Sequence, residues 1–352
     1  MKKIRICALH PYTTTEAGIR KLLDFDERNH GLEFVWDEEN PDYVIATQII
    51  YYEKQWYKKF IKYMNAGCIS IFFAGECISP DLNLFDYAIA FDRNLSCGDR
   101  VGRMPTLRFY RVSVFDEYKR NMPFTVAEAA KKVKFCNFMY SNGKGNPNRD
   151  ALFYKISEYK RVDSIGSHLN NTGAISTRNN TDWRRLSIEC RQEYKFSIAA
   201  ENACFPGYTS EKLLSCLEAH TVPIYWGDPS VGQEFNSKAF VNCHEYSSFD
   251  DVLHVVEKID QSPELFTQML NEPWQTPEQV KKTKQANEAY DAFVLNIFSQ
   301  EKEDAHRVYP GYHPGWYKKW FIQRYKMPIS LWLKNIIRQT GRKLIKKKVD
   351  IV

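Results

Sequence analysis

Between Tyr194 and Pro229 the chain reads YKFSIAAENACFPGYTSEKLLSCLEAHTVPIYWGDP, and this stretch is the most informative in the chain. Tyr194 to Ala200 has the composition of a strand. The loop after it holds Glu201, Asn202, Pro206, Gly207 and Tyr208. Ser210 then stands where a helix N-cap belongs, ahead of Leu213, Leu214 and Leu217 at helical spacing. Val222 to Trp226 reads as a second strand, closed by Gly227, Asp228 and Pro229. Strand, loop, helix and strand make a βαβ unit whose loop empties onto a helix N-terminus. Free backbone N–H groups and the helix dipole make such a place suited to an anion. Lys212, in the first turn, opposes the positive end of that dipole. A phosphate between the two removes the conflict.

Two further places could supply chemistry. Phe135–Tyr140 reads as a strand, followed by Ser141-Asn142-Gly143-Lys144-Gly145-Asn146-Pro147-Asn148-Arg149. Asn146 as N-cap and Pro147 at the first helical position start a helix to about Tyr159 and deliver Arg149 to its first turn. Glu76 follows the apolar run ending Phe72-Phe73-Ala74-Gly75, at the C-terminal end of a strand, where α/β folds place ligand-facing residues. On these residues alone it reads first as a strand-end carboxylate bonded to a loop. Asp24-Phe25-Asp26 has an Asp-x-Asp spacing, but reads as an acidic helix end rather than a metal site. Arg100, Arg103 and Arg108 around Met104-Pro105 could line an acceptor groove, but read rather as a solvated loop.

The elements that carry these residues alternate along the chain. Strands are expected at Ile4–Leu9, Glu33–Trp36, Tyr43–Ala46, Ile69–Phe73 and Tyr87–Phe91. Helices are expected near Thr15–Leu23 and Glu53–Asn65, and later over Phe249–Ile259, from Ser262, and over Pro277–Ser299. Repeated alternation predicts parallel α/β sheets. The pattern weakens between Arg111 and Lys134, as a linker does. Domains are therefore expected at 1–125 and 126–305, with a separate tail at 306–352.

The segments Glu201-Asn202, Tyr208-Thr209-Ser210-Glu211-Lys212 and Val222-Pro223-Ile224-Tyr225-Trp226-Gly227 resemble the donor motif of the bacterial α-1,3-fucosyltransferase family. Ser210 stands where the family has Thr and keeps the capping hydroxyl. Ala200 replaces an aromatic and removes volume beside the site. Gly75-Glu76 through Phe91-Asp92 resembles the segment bearing the family's proposed general base, with Cys77 where Asn is common. The resemblance covers roughly residues 70–270. It implies a GT-B fold, two Rossmann-like parallel-sheet domains, with the acceptor in the first and GDP-fucose in the second. It implies an inverting transfer of fucose to O3 of N-acetylglucosamine in N-acetyllactosamine-type glycans, giving Lewis x-type products. Glu76 is then the base, and Arg149 and Lys212 stabilise the leaving GDP. Glu211 is expected on ribose or fucose hydroxyls, with Asn202 and Tyr208 beside phosphate or sugar. Glu201 is left open between a site role and a loop-holding one. No cofactor is expected, and no metal, since these cations serve the phosphate. Alternatives are an α-1,4 linkage, another GDP-sugar, or a membrane-associated sugar-nucleotide binder without turnover.

Composition fits this reading. The chain has 352 residues, 43% hydrophobic and 26% charged, which is ordinary for a globular protein. Nine scattered cysteines without a CxxC pair read as reduced thiols, and neither a signal peptide nor an 18-residue apolar run is seen. A cytoplasmic location is expected. Residues 313–352 carry eleven Lys/Arg against one Asp, a net +10 in a chain of +6. Leu333, Ile336, Ile337 and Leu344 share one helical face and Lys334, Arg338 and Arg342 another. These basic amphipathic C-terminal helices are expected to lie on an anionic membrane surface, on the inner face of the cytoplasmic membrane. Nucleic acid is not expected as a partner.

Overall fold

The structure, a computed structural model, describes residues 1–111, 123–173 and 182–308. The tail expected at 306–352 lies outside the described residues from 309 onward. Chain contacts divide the protein into one unit of residues 1–73, 80–88 and 296 onward, and a second of residues 74–79 and 89–295.

The first unit contains β1 (Lys2–Leu9), α1 (Glu16–Leu23), β2 (Leu32–Trp36), β3 (Tyr43–Ala46), α2 (Lys54–Asn65), β4 (Ile69–Phe73) and most of β5 (Tyr87–Ile89). The strands run in the order β2-β1-β3-β4-β5, and β1 pairs in parallel with both β2 and β3. Thr15 caps α1 by accepting from Gly18 N at 3.1 Å. Asp24 is the left-handed C-cap of α1, and Asp26 caps the 3₁₀ turn Glu27–His30. The Asp-x-Asp string therefore terminates and starts local structure.

The second unit contains β6 (Val101–Gly102), α3 (Thr106–Phe109), α4 (Val126–Ala129), β7 (Lys134–Phe138), α5 (Pro147–Ser157) and β8 (Val162–Ser164). It continues through α6 (Trp183–Glu189), β9 (Tyr194–Ala200), α7 (Glu211–Glu218), β10 (Val222–Trp226), β11 (Val241–Asn242), α8 (Phe249–Gln261), α9 (Pro263–Asn271) and α10 (Pro277–Ser299). Its sheet order is β8-β7-β9-β10-β11, and every adjacent pair is parallel. Both faces of this sheet are covered, so β9 and β10 are buried almost throughout. Phe196, Ile198, Val222 and Ile224 pack with Leu152, Ile156, Val252 and Val256 on one face. Ala199 and Tyr225 point the other way, to Leu213, Leu217, Phe235 and Phe240.

Contact and sequence divide the chain differently. Segment 89–111 lies in the second unit because Arg93 and Arg103 both meet Glu234 Oε2 at 2.7 Å. Glu234 also accepts from Thr106 N at 2.8 Å. Arg108 binds Asp291 at 2.6 Å and sits over the Tyr290 ring. Arg103 and Arg108 are thus held in ion pairs rather than in a solvated loop, because each meets a carboxylate far along the chain. The last turn of α10 and α11 (Lys302–Ala305) belong to the first unit. There Phe298 packs edge-on against Phe34 and Tyr43, and Asp86 accepts from Arg307 N and Val308 N at 2.8 and 2.9 Å.

Candidate active site

In the second sheet the chain leaves β7 toward β8 on one side, and leaves β9 toward β10 on the other. The strand order reverses between β7 and β9, and α/β sheets bind ligands in the crevice at that point. The loops leaving these two strands lead into the first turns of α5 and α7, which carry Arg149 and Lys212, so the topology brings the two cations to one place.

Ser210 is the N-cap of α7, and Asn146 the N-cap of α5 with Pro147 at its first position. Glu201 is fully buried. Its Oε1 accepts from Ser210 N at 2.7 Å, and its Oε2 from Ser210 Oγ at 2.6 Å and Lys212 Nζ at 3.2 Å. Glu201 therefore holds the start of α7 and its lysine. Gly227 explains how a carboxylate fits there. Its φ is +155°, and a Cβ on it would lie 2.3 Å from Glu201 Cγ. Lys212 Nζ also lies 2.9 Å from Ser210 Oγ and 3.4 Å from Glu211 Oε1. Burial alone lowers the lysine pKa, but Glu201 and Glu211 outweigh it and hold it above its usual value. Burial raises Glu201 despite Lys212; Glu211 is held low, burial being outweighed by Lys212.

Arg149 is 1% exposed. Its Nη2 donates to Asn142 O at 2.6 Å, and its Nη1 and Nε reach Asn202 Oδ1 and Asp150 Oδ1, each at 3.4 Å. The guanidinium lies over the Tyr140 ring, 4.7 Å from its centroid. Tyr140 Oη in turn accepts from Ala200 N at 2.6 Å. The small Ala200 is therefore tied to the ring beneath Arg149. Asn202 also fixes the glycine-rich loop, its carbonyl accepting from Asn146 N at 3.1 Å.

These residues line one cavity of about 300 Å³, with Arg149, Asn202, Glu211 and Lys212 in its wall. Sequence reasoning missed the opposite wall. Trp183, Ser187 and Arg191 stand at spacings of four along and just beyond α6, and all three line the cavity. Ser215, one turn after Lys212, lines it too. Arg191 Nε and Ser215 Oγ are buried with no hydrogen-bond partner among the described residues. The spacing 183, 187, 191 was the available signal.

Glu76 is exposed and is not among the residues lining that cavity. Tyr208 Oη donates to its Oε2 at 3.1 Å. Tyr208 packs edge-on against Phe91 at 5.1 Å and is 7% exposed. Burial raises its phenol pKa, and Glu201 adds to the effect, so it stays a proton donor. Burial also pushes the neighbouring Cys77 thiol up to about 11. The loop carrying Tyr208 is fixed by Asp228, which the sequence marked only as closing the strand Val222–Trp226. Asp228 accepts from Gly207 N at 2.8 Å and Thr209 Oγ1 at 3.0 Å. Gly207 has φ +90°, and a Cβ there would lie 2.3 Å from Phe91 O. The structure thus brings Arg149, Asn202, Glu211 and Lys212 to one cavity and pairs Tyr208 with Glu76.

Among known proteins, residues 129–310 match the profile of glycosyltransferase family 10 (fucosyltransferase), C-terminal part. Residues 16–110 match the alpha-(1,3)-fucosyltransferase FucT N-terminal domain. The chain is 32% identical over 244 residues to an alpha-(1,3)-fucosyltransferase FucT of Helicobacter pylori, covering 61% of this chain and 48% of that one. It is 34% identical over 146 residues to a putative fucosyltransferase, R654, of Acanthamoeba polyphaga mimivirus, covering 40% and 24%. The chain thus spans half or less of the length of these relatives. A crystal structure of an alpha1,3-fucosyltransferase matches with TM-score 0.62 and 25% identity over 83% of this chain and 90% of that one. A structure described as alpha1,3-fucosyltransferase with GDP-fucose matches with TM-score 0.58 and 24% identity, covering 82% and 91%. The two parallel-sheet α/β units are those of the GT-B fold. With a family profile over just more than half its length, the chain belongs to glycosyltransferase family 10, the fucosyltransferases.

Proposed function

We propose that this protein transfers L-fucose from GDP-fucose to O3 of N-acetylglucosamine in an N-acetyllactosamine-type glycan, with inversion at the anomeric carbon. The observation that carries the proposal is the pairing of Arg149 and Lys212 in one cavity at the switch point of the second sheet. Two cations there answer the charge that grows on a departing diphosphate. Asn202 and Glu211 take neighbouring phosphate and sugar hydroxyls. The nucleoside fills the remaining cavity between Trp183, Arg191 and Ser215.

Glu76 accepts the proton of the acceptor O3 hydroxyl as that oxygen bonds to the anomeric carbon. The bond from that carbon to the β-phosphate oxygen breaks with its electron pair on GDP. Tyr208 engages Glu76 Oε2, and no partner of Oε1 is found among the described residues. That oxygen is the one assigned to the hydroxyl proton. The leaving phosphate needs no proton, because Lys212 and Arg149 compensate its charge, and no metal is invoked. A peripheral place on an anionic membrane, through residues 313–352, remains part of the proposal. Among the described residues no helix is long and apolar enough to cross a membrane.

The test is transfer from GDP-fucose to N-acetyllactosamine in the presence of EDTA. Fucosylated product formed at an undiminished rate supports the proposal. Activity abolished by chelator and restored by Mn²⁺ would reject the metal-free mechanism.

A further inference from the structure

The Arg149 guanidinium is turned by its neighbours. Its Nε reaches Asp150 Oδ1 at 3.4 Å, its Nη1 Asn202 Oδ1 at 3.4 Å and its Nη2 Asn142 O at 2.6 Å. Each Nη nitrogen carries a second N–H that no described residue accepts. Such a pair fits two oxygens of one phosphate, provided the guanidinium plane faces the right way. Among the described residues, Asp150 supplies the carboxylate on its Nε edge.

Asp150 is bound on its other side as well. His168 Nε2 lies 2.9 Å from its Oδ1 and 3.0 Å from its Oδ2. A carboxylate only accepts, so this ring nitrogen donates. The helix dipole favours an acidic residue in the first turn of α5 whatever else that residue does. The contact with a ring 18 positions on is what singles Asp150 out.

His168 is itself held in place. It follows β8 in a turn where Ser164 Oγ donates to His168 O at 2.7 Å and Asn170 Nδ2 donates to Gly166 O at 2.7 Å. Leu169, beside it, has φ +54°, a left-handed backbone that residues other than glycine rarely adopt. His168 N donates to Tyr140 O at 2.9 Å, and the Tyr140 ring is the one beneath Arg149. The contacts close a circuit from Tyr140 to His168, to Asp150, to Arg149 and back to Tyr140. Glycines make room where the loop after β7 crosses these side chains. A Cβ on Gly143 would lie 2.9 Å from His168 Nδ1, and one on Gly145 would meet Arg149 Nη1. Arg149 lines the cavity, whereas neither Asp150 nor His168 is among the residues lining it.

We infer that Asp150 and His168 are positioning residues, which hold the Arg149 guanidinium with its remaining N–H pair turned toward a diphosphate in the cavity. The inference rests on reading that cavity as a diphosphate site, and binding without turnover tests it. Isothermal titration with GDP and with inorganic pyrophosphate reads the diphosphate, and saturation-transfer NMR with guanosine reads the nucleoside alone. Asp150→Ala and His168→Ala should each weaken GDP and pyrophosphate by roughly three- to tenfold, with guanosine binding unchanged. In an Arg149→Ala background the same substitutions should change GDP affinity by less than about twofold, because the group they position is gone. Asp150→Asn keeps an oxygen for Arg149 Nε and offers an amide N–H to the other tautomer of His168. It should stay within about twofold of wild type.

Alanine variants that keep GDP and pyrophosphate affinity at the wild-type level overturn the inference. So does an equal loss with and without Arg149, or an Asp150→Asn protein as weak as Asp150→Ala. A parallel fall in guanosine binding and Tm overturns it too, by making the pair an element of the fold alone. A wild-type chain that binds neither GDP nor pyrophosphate overturns it together with the donor reading. Coupling of Asp150 to Arg149 in a protein that binds GDP but never transfers fucose upholds the pair and rejects the proposed reaction.

Discussion

Replacing Lys212 by Ala should cost folding stability as well as activity, and the two losses should separate. Lys212 Nζ lies 3.2 Å from Glu201 Oε2, and Glu201 is fully buried. Its remaining partners, Ser210 N and Oγ, are neutral. Removing one member of a buried pair leaves an uncompensated charge, at about 3–5 kcal/mol. For a unit of this size that corresponds to a fall in Tm of roughly 6–20 °C. The penalty depends on pH with a definite sign. Burial already raises the Glu201 pKa, and Lys212 is the largest influence opposing it. In Lys212→Ala the carboxyl therefore protonates more readily, so the loss of Tm should be larger at pH 8 than at pH 5.5. Adding Glu201→Gln removes the stranded charge and should recover most of the Tm. It should not recover transfer, because the cation proposed to face the diphosphate is still missing. Differential scanning calorimetry at the two pH values, with steady-state transfer on the same proteins, checks each part. A Lys212→Ala protein with wild-type Tm at pH 8 would refute the claim that this ion pair holds the start of α7.

Glu76→Gln should lower transfer by ~10²–10⁴-fold with little change in GDP-fucose affinity; a rate near wild type would remove Glu76 as the base. Trp183→Ala should weaken GDP by roughly tenfold while inorganic pyrophosphate binding holds, as loss of a base-stacking surface predicts. Isothermal titration with both ligands decides it, and equal weakening would place Trp183 outside the nucleoside contact. For Glu234, burial raises the carboxyl but Arg103 and Arg93 outweigh it and hold its pKa at about 2, from the usual 4.5. Such a depressed carboxyl stabilises the fold above pH 4.5, an effect of about 3 kcal/mol lost as pH falls toward 2. Glu234→Gln should flatten that part of the acid-unfolding curve. Truncation after Tyr312 should abolish co-sedimentation with anionic vesicles at low salt and leave transfer to a soluble acceptor intact. Each near-surface Lys or Arg in the tail contributes about 1 kcal/mol at most; equal sedimentation of both proteins would contradict the membrane role.

Much of the scaffold was legible in the residues. Strands Tyr43–Ala46, Ile69–Phe73, Tyr194–Ala200 and Val222–Trp226 and helix Pro277–Ser299 have the expected bounds. Buried parallel strands are long apolar runs with abrupt polar ends, and Ser210, Asn146 and Thr15 signal helix starts by their own side chains. The short elements β6, β8, α3, α4 and α6 were not expected, because two to seven residues carry too little periodicity. Nor could local pattern show which distant groups meet. Arg103 finds Glu234, 131 positions on, and Asp228 reaches back to Gly207 and Thr209. Trp183, Ser187 and Arg191 were missed for a related reason. A polar stripe on a short helix looks like any solvated face until a cavity is seen beside it.

The central claim is a fucosyl transfer in which Glu76 takes the acceptor proton and GDP leaves with inversion. Two-dimensional NMR of the product from GDP-fucose and N-acetyllactosamine tests it most directly, run with wild type and Glu76→Gln in EDTA. The account predicts one α-fucosyl residue on O3 of N-acetylglucosamine with wild type, and GDP-fucose bound but scarcely consumed with the variant. A β-linked product, or equal product from both proteins, would contradict it.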